Sequence, residues 1–281
     1  MTPISNPLKQ FFRQPAIYLK LPSGGRFWPA DSIDLPKNGE IPVFPMTAID
    51  EITYRTPDAL FNGQATVNVI QSCIPAIKNA WAVPNIDVNS ILTSIRIASY
   101  GHDLETPSTC PKCNHEETYT VDLRHVLDTM SVGDFDAVVT QGDLEISFQP
   151  ISYQSQTETN IAQFEQQKTI QVVQMTTDLT DQEKIDRLNQ ALQNITALTI
   201  KALKWSIASI RTPSALVTEP EFIEEFLTNC DRKLFLRIRD HIIALREQSE
   251  IKPLSIKCGN CENEYQQTVA LDQSNFFGAA S

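Results

Sequence analysis

Hydrophobic and polar positions follow two rhythms along this chain. Near the amino end, Ile17-Tyr18-Leu19-Lys20-Leu21 alternates with the period of a strand. Pro22-Ser23-Gly24-Gly25 supplies a turn, and Arg26-Phe27-Trp28 offers a returning strand, so the pattern predicts a hairpin. Ile41-Pro42-Val43-Phe44-Pro45-Met46 is also extended in character, and its two prolines assign it to an edge strand or an arm. From Ala48 the period changes to that of a helix. Thr47 can cap a first turn holding Asp50 and Glu51, and Thr56-Pro57-Asp58 opens a second piece that Gly63 ends. Val67, Ile70 and Ile74 lie on one face of a third, which Pro75 stops. Asp87 opens a fourth, striped by Val88, Ile91, Leu92, Ile95 and Ile97, that runs out at Tyr100-Gly101.

Further along, Leu123 to Met130 reads as a brief helix. Gly142-Asp143 reads as a turn joining Phe135–Val139 to Leu144–Phe148. Between Ser152 and Lys257 there is no glycine, and helical periodicity fills the interval. A Gln-rich helix covers Thr157 to Met175. Thr180-Asp181-Gln182-Glu183 is a capping box for a helix reaching about Ile210. Thr218-Glu219-Pro220-Glu221 is a second such box, and a last helix runs from about Asp231 to Gln248. The apolar stripe on each helix is read as core packing. The predicted class is α+β, with a mixed β/α amino-terminal part and a mainly helical middle. The expected organisation is an arm over 1–16, a mixed β/α part over 17–150, a helical insertion over 151–250, and a closing segment over 251–281.

What joins these parts is carried by four of the six cysteines. Cys110-Pro111-Lys112-Cys113 and Cys258-Gly259-Asn260-Cys261 are two C-x-x-C turns, each followed by a strand-like run. Such a turn presents two thiolates to one ion, with Pro111 fixing φ and Gly259 tolerating positive φ. A tetrahedral Cys₄ zinc site made of Cys110, Cys113, Cys258 and Cys261 accounts for all four together. About 140 residues separate the pairs, far more than in a local zinc ribbon, so the intervening chain is an insertion whose ends meet at the metal. Disulfides or four free thiols are the rival readings. A shell of four cysteines leaves no open position for catalysis, which makes the zinc structural. His115 is read as a solvated loop histidine, and Cys73 and Cys230 as buried thiols.

The formal charge of −11 over 281 residues argues against a phosphate backbone as the main partner. Arg232, Lys233, Arg237, Arg239 and Arg246 cluster late, but Asp231, Asp240 and Glu247 are interleaved with them, which describes an ion-paired helix face. No apolar run approaches a membrane span, and the first residues lack the pattern of a secretory signal, so a cytosolic setting with reduced thiols is expected. Metalloprotease, nucleophile-elbow, Walker and dinucleotide-binding signatures are absent from the sequence. Asp50 with Glu51, and Asp134 with Asp136, are close carboxylates in turn-like surroundings and read as solvated. Binding or structure, rather than catalysis, is the expected class of function.

Several short stretches carry a resemblance. They are Leu21-Pro22-Ser23-Gly24-Gly25, Pro45 to Glu51, Thr56 to Gly63, Ile95 to Gly101, the first cysteine pair, and Asn275-Phe276-Phe277-Gly278. Together they resemble the baseplate hub subunit family of T-even-like contractile-tailed bacteriophages. The resemblance is best over Tyr18 to Leu123 and again at the carboxyl end. It implies a non-enzymatic virion tail component or assembly factor, with other baseplate and hub proteins as partners. It also implies assembly in the host cytoplasm and a final place in the tail baseplate. The alternative from another class is a zinc-ribbon protein that binds nucleic acid or regulates transcription. Acidity, and the lack of aromatics among basic residues near either knuckle, weigh against that. Finally, Phe11 and Phe12 in a proline-punctuated arm, and Phe276 and Phe277 at the other end, are read as partner-binding residues, the alternative for Phe276 and Phe277 being that they fold back onto their own zinc knuckle. Each such side chain is worth roughly 2 kcal/mol when buried.

Overall fold

A computed structural model describes residues 6–55, 62–176 and 179–268. Strand β1 (Ile17–Lys20) pairs antiparallel with β2 (Glu40–Val43), setting Tyr18 opposite Pro42 in a two-stranded ladder where each strand is an edge. The edge position of the proline-bearing strand is as expected. The partner of β1 is not: Arg26-Phe27-Trp28 forms no strand. Gly24 (φ 62°) and Gly25 (φ 83°) turn the chain aside, and Trp28 goes to a buried carboxylate instead. Its indole N–H donates to Asp87 at 2.8 Å, and Ser23 donates to the same carboxylate from its backbone N–H (3.0 Å) and its hydroxyl (2.5 Å). Asp87 therefore does not open its helix. It lies in the first turn of a helix that begins two residues earlier, fully buried, held by the loop that was expected to be a hairpin.

Helix α1 (Ala48–Tyr54) starts with a capping box between Thr47 and Asp50. Helix α2 (Gln64–Cys73) follows Gly63, which sits at φ 76°. Helix α3 (Asn85–Tyr100) begins after Pro84 and ends at Gly101. The expected helix start at Thr56-Pro57 lies outside the described residues. These elements enclose the largest core, built from Ile41, Val43, Ile70, Ile74, Ile91, Leu92 and Ile95. Arg13 closes it from the amino side. Its guanidinium donates to Pro45 O (2.6 Å), Asp50 Oδ2 (3.3 Å), Ser72 O (2.7 Å) and Ser72 Oγ (2.9 Å).

A second core surrounds an antiparallel sheet of β5 (Val139–Gln141), β6 (Leu144–Phe148), β7 (Ile207–Arg211) and β8 (Leu216–Val217), in that order. Gly142, at φ 57°, occupies the expected turn between β5 and β6. Between β6 and β7 the chain leaves as an antiparallel helical hairpin, α5 (Tyr153–Met175) and α6 (Asp181–Trp205). The second helix thus stops five residues before the expected Ile210, and two unforeseen strands follow. The β6–β7 ladder crosses the boundary drawn at residue 150.

Helices α7 (Pro220–Asn229) and α8 (Arg232–Gln248) cover the sheet. The expected box at Thr218 is absent, because Glu219 is the N-cap and makes no side-chain cap. Asp231 does cap α8, accepting from Lys233 N and Leu234 N. Two basic residues of α8 are paired locally, Arg239 to Asp240 and Arg246 to Glu250, while Arg237 reaches Thr140 O and Gln141 of β5. Between the two cores lie helix α4 (Leu123–Thr129) and two hairpins. These are β3 (Asp103–Thr109) with β4 (Glu116–Asp122), and β9 (Leu254–Lys257) with β10 (Glu264–Gln267). A small third core of Val121, Leu123 and Val126, packed by Ile251 and Leu254, ties those hairpins together.

Candidate metal centre

Each hairpin ends in a cysteine turn, and the two turns have the same backbone. In the first, Cys110 N donates to His115 O (2.9 Å) and Asn114 N to Cys110 O (2.9 Å). In the second, Cys258 N donates to Asn263 O (2.9 Å) and Glu262 N to Cys258 O (3.0 Å). The residue after the second cysteine is left-handed in both, Asn114 at φ 54° and Glu262 at φ 58°. Positive φ therefore falls there and not on Gly259. An added Cβ at 259 would stand 2.8 Å from Glu117 Oε2, so a larger residue there would push the Glu117 carboxylate aside.

The four sulfur atoms come within 4.8 Å of one another. Cys110 Sγ and Cys261 Sγ are 3.7 Å apart, as are Cys113 Sγ and Cys258 Sγ. A disulfide needs about 2.05 Å. Four thiolates at about 2.3 Å from one zinc ion stand about 3.8 Å from each other at tetrahedral angles. The spacing matches the second arrangement. Cys110 and Cys258 are buried, and Cys113 and Cys261 half-buried.

Local dipoles favour thiolates here. Desolvation opposes ionisation of Cys110, but the backbone N–H groups of Cys113 and Lys112 outweigh it and bring the thiol down to about 6. The His115 N–H lowers Cys113 as well. Cys261 goes the other way: the Asn263 N–H favours its thiolate, but the neighbouring cysteines and burial hold its proton up to about 12. Four thiolates this close would need a cation to share.

A polar layer fixes the two hairpins around the sulfurs. Tyr119 donates to Glu117 (3.0 Å) and Lys257 O (3.2 Å), and Gly259 N donates to Glu117 (3.2 Å). Ser108 shares a hydrogen bond with Tyr265 (2.8 Å) and donates to Gln267 (2.5 Å). Asn260 Nδ2 approaches Cys113 Sγ at 3.7 Å. The sequence reading missed this layer. The signal was present in the alternation of both strands, which places Glu117 with Tyr119 and Tyr265 with Gln267 on single faces. His115 contributes backbone atoms only, and its side chain is exposed.

Of the residues expected to bind partners, Phe11 is 76% and Phe12 55% exposed, on and just after a 3₁₀ turn over Pro7–Phe11 that buries nothing. Phe276 and Phe277 lie outside the described residues. Among the described residues, no helix is long and apolar enough to cross a membrane.

The fold and its cysteine cluster define an α+β protein with a candidate metal site. The chain belongs to the family described as T4 bacteriophage base plate protein, whose model matches residues 31–278. It is therefore a structural protein of a phage tail baseplate. No curated protein and no solved structure matches the chain.

Proposed function

We propose that this protein is a non-enzymatic structural or assembly component of the central hub region of the baseplate. It acts through protein–protein contacts and is stapled by structural zinc on Cys110, Cys113, Cys258 and Cys261. The family match over residues 31–278 carries the reading. The hub position follows from the motifs between Leu21 and Gly101 that resemble hub subunits. Phe11 and Phe12 serve as docking side chains on neighbouring tail proteins, and Phe276 and Phe277 are assigned the same role. The protein is made and assembled in the host cytoplasm and then joins the tail.

Two measurements test this. Tagged protein recovered from infected cells should bring down hub components in stoichiometric amounts. Recovery of wedge components alone would remove the hub assignment. Elemental analysis of protein purified without chelator should find about one zinc per chain. Metal-free protein with the four cysteines oxidised would end the zinc assignment.

A further inference from the structure

The four clustered sulfurs form two couples, and each couple spans the two hairpins. Cys110 meets Cys261 and Cys113 meets Cys258, both at 3.7 Å. The couples share no atom, so both can close at once. Each sets a buried sulfur against a half-buried one: Cys110 stands behind Cys261, and Cys258 behind Cys113. A small oxidant from solvent therefore meets Cys113 and Cys261 first, with a second sulfur in contact with each. Closing a couple from 3.7 Å to the 2.05 Å or so of a disulfide moves each sulfur by only about 0.8 Å.

The register of the hairpins is set by groups other than the cysteines. Gly259 N donates to Glu117 (3.2 Å), Tyr119 donates to Lys257 O (3.2 Å), and Ser108 meets both Tyr265 (2.8 Å) and Gln267 (2.5 Å). These contacts run from β3 and β4 to β9, β10 and the turn between them, so the sulfurs that face each other belong to different hairpins. A tail component of a virion also changes redox surroundings. It is made among reduced thiols and passes at lysis into an oxidising medium.

We propose that the cysteine cluster is a redox-exchangeable staple, held by a metal when reduced and by two cross-hairpin disulfides, Cys110–Cys261 and Cys113–Cys258, after oxidation by a peroxide. The Cys261 thiolate attacks one peroxide oxygen, the O–O bond breaks, and hydroxide leaves a sulfenic acid on Cys261. The Cys110 thiolate then attacks that sulfur and expels a second hydroxide as the S–S bond forms. Cys113 and Cys258 repeat the two steps with a second peroxide. Four electrons pass from four sulfurs to two peroxides, and no thiolate remains to hold an ion. The pairing decides the consequence. Cross-hairpin bonds keep the hairpins joined, whereas bonds within each C-x-x-C turn would leave them unlinked. Release of zinc rests on the zinc reading above; the pairing of the sulfurs does not.

The test is titration of the full chain, purified under reducing conditions, with hydrogen peroxide. Zinc release is followed with a chromogenic chelator. Disulfides are mapped by tandem mass spectrometry of unreduced tryptic peptides, with Lys112 providing a cut between Cys110 and Cys113. Hydrogen exchange compares the oxidised protein with reduced protein stripped by chelator. Zinc release should keep pace with formation of the two cross-hairpin disulfides. Strands β3, β4, β9 and β10 should keep in the oxidised protein the protection that they lose on chelation. Disulfides within the C-x-x-C turns overturn the proposal, as do cysteines that stay reduced in excess peroxide. Loss of protection equal to that on chelation also overturns it. Protein that holds no zinc yet forms both cross-hairpin bonds ends the zinc reading and leaves this inference standing. Zinc released as within-turn disulfides form does the reverse.

Discussion

The arm and the core part company at one residue. Removing residues 1–12 takes away Leu8, Phe11 and Phe12, none of which is buried, so the stability of the isolated protein should not change. Arg13 is different. Its guanidinium donates to Pro45 O, once to the buried Asp50, twice to Ser72 and, at 3.9 Å, to Cys73 Sγ, joining the arm to α1 and α2. Cutting at residue 13 instead of 12, or making Arg13→Ala, leaves Asp50 with Thr47 and Ser72 as donors but without a counter-charge. Two backbone carbonyls, Pro45 O and Ser72 O, also lose a charged donor. Charge-assisted hydrogen bonds are worth about 1.5–3 kcal/mol each, and the remaining donors and partial exposure offset some of that. A net loss of about 2–3 kcal/mol follows. For a chain of this size that is roughly 4–10 °C in Tm. Differential scanning calorimetry on the two truncations and on Arg13→Ala measures it directly. The arm's docking role requires that the 1–12 truncation retain its Tm while losing incorporation into baseplates. Equal destabilisation of both truncations would place the phenylalanines in the core. A neutral Arg13→Ala would mean that the guanidinium network contributes nothing.

Glu262→Asn should raise stability by about 0.5–1 kcal/mol in urea titration. Asn accepts the left-handed φ of 58° more readily, and the exposed pair lost to Lys257 contributes little. Burial raises the carboxyl of Asp87, against the opposing pull of its Ser23 and Trp28 donors. A raised folded value means that stability falls as pH rises from the unfolded value, about 3.9, through the folded one. The stability of Asp87→Asn relative to wild type should therefore improve with pH over that window and stay level below it. Cys258→Ser should lose the metal and several kcal/mol of stability, read as zinc content and urea midpoint.

The cysteine turns were legible because C-x-x-C is local: one turn, two ligands, and a strand on each side. Helices α1, α2, α4 and α8 were legible from caps and period for the same reason. Strand β7 was not. In Ile207-Ala208-Ser209-Ile210 the buried isoleucines are three apart, which continues the helical stripe of α6. The ladder explains the spacing. Phe148 pairs with Ile207 and Ser147 with Ser209, so Ala208 is an extra residue in a bulge and both isoleucines face the core. Asp87 was misread because a first-turn acid fits the helix dipole as well as it fits three distant donors. Arg13 carried no local signal at all, since its partners are 32 to 60 residues away.

The same long-range contacts decide what a metal on the four cysteines would do. From sequence, such an ion would close a loop of about 140 residues, which as a cross-link would be worth about 5 kcal/mol. That holds for the fully unfolded chain. In the folded protein the loop is already closed without the metal. Gly133 N donates to Ser249 Oγ (2.8 Å), Ser131 Oγ to Gln248 O (3.2 Å) and Asp134 N to Gln248 Oε1 (3.1 Å). Gly133 also packs so tightly on Leu245 that a Cβ there would stand 2.6 Å from its carbonyl oxygen. With that crossing intact, the metal closes only the short path through α4 and back along β9, about 25 residues, worth about 3.5 kcal/mol. Removal of the ion should therefore act locally before it acts globally. In hydrogen exchange after chelation, β3, β4, β9 and β10 should lose protection first, while α3 and the β6–β7 ladder keep theirs. If α3 and the β6–β7 ladder lose protection together with these four strands, the crossing at Gly133 is not an independent closure, and a metal there holds the two cores as one cooperative unit.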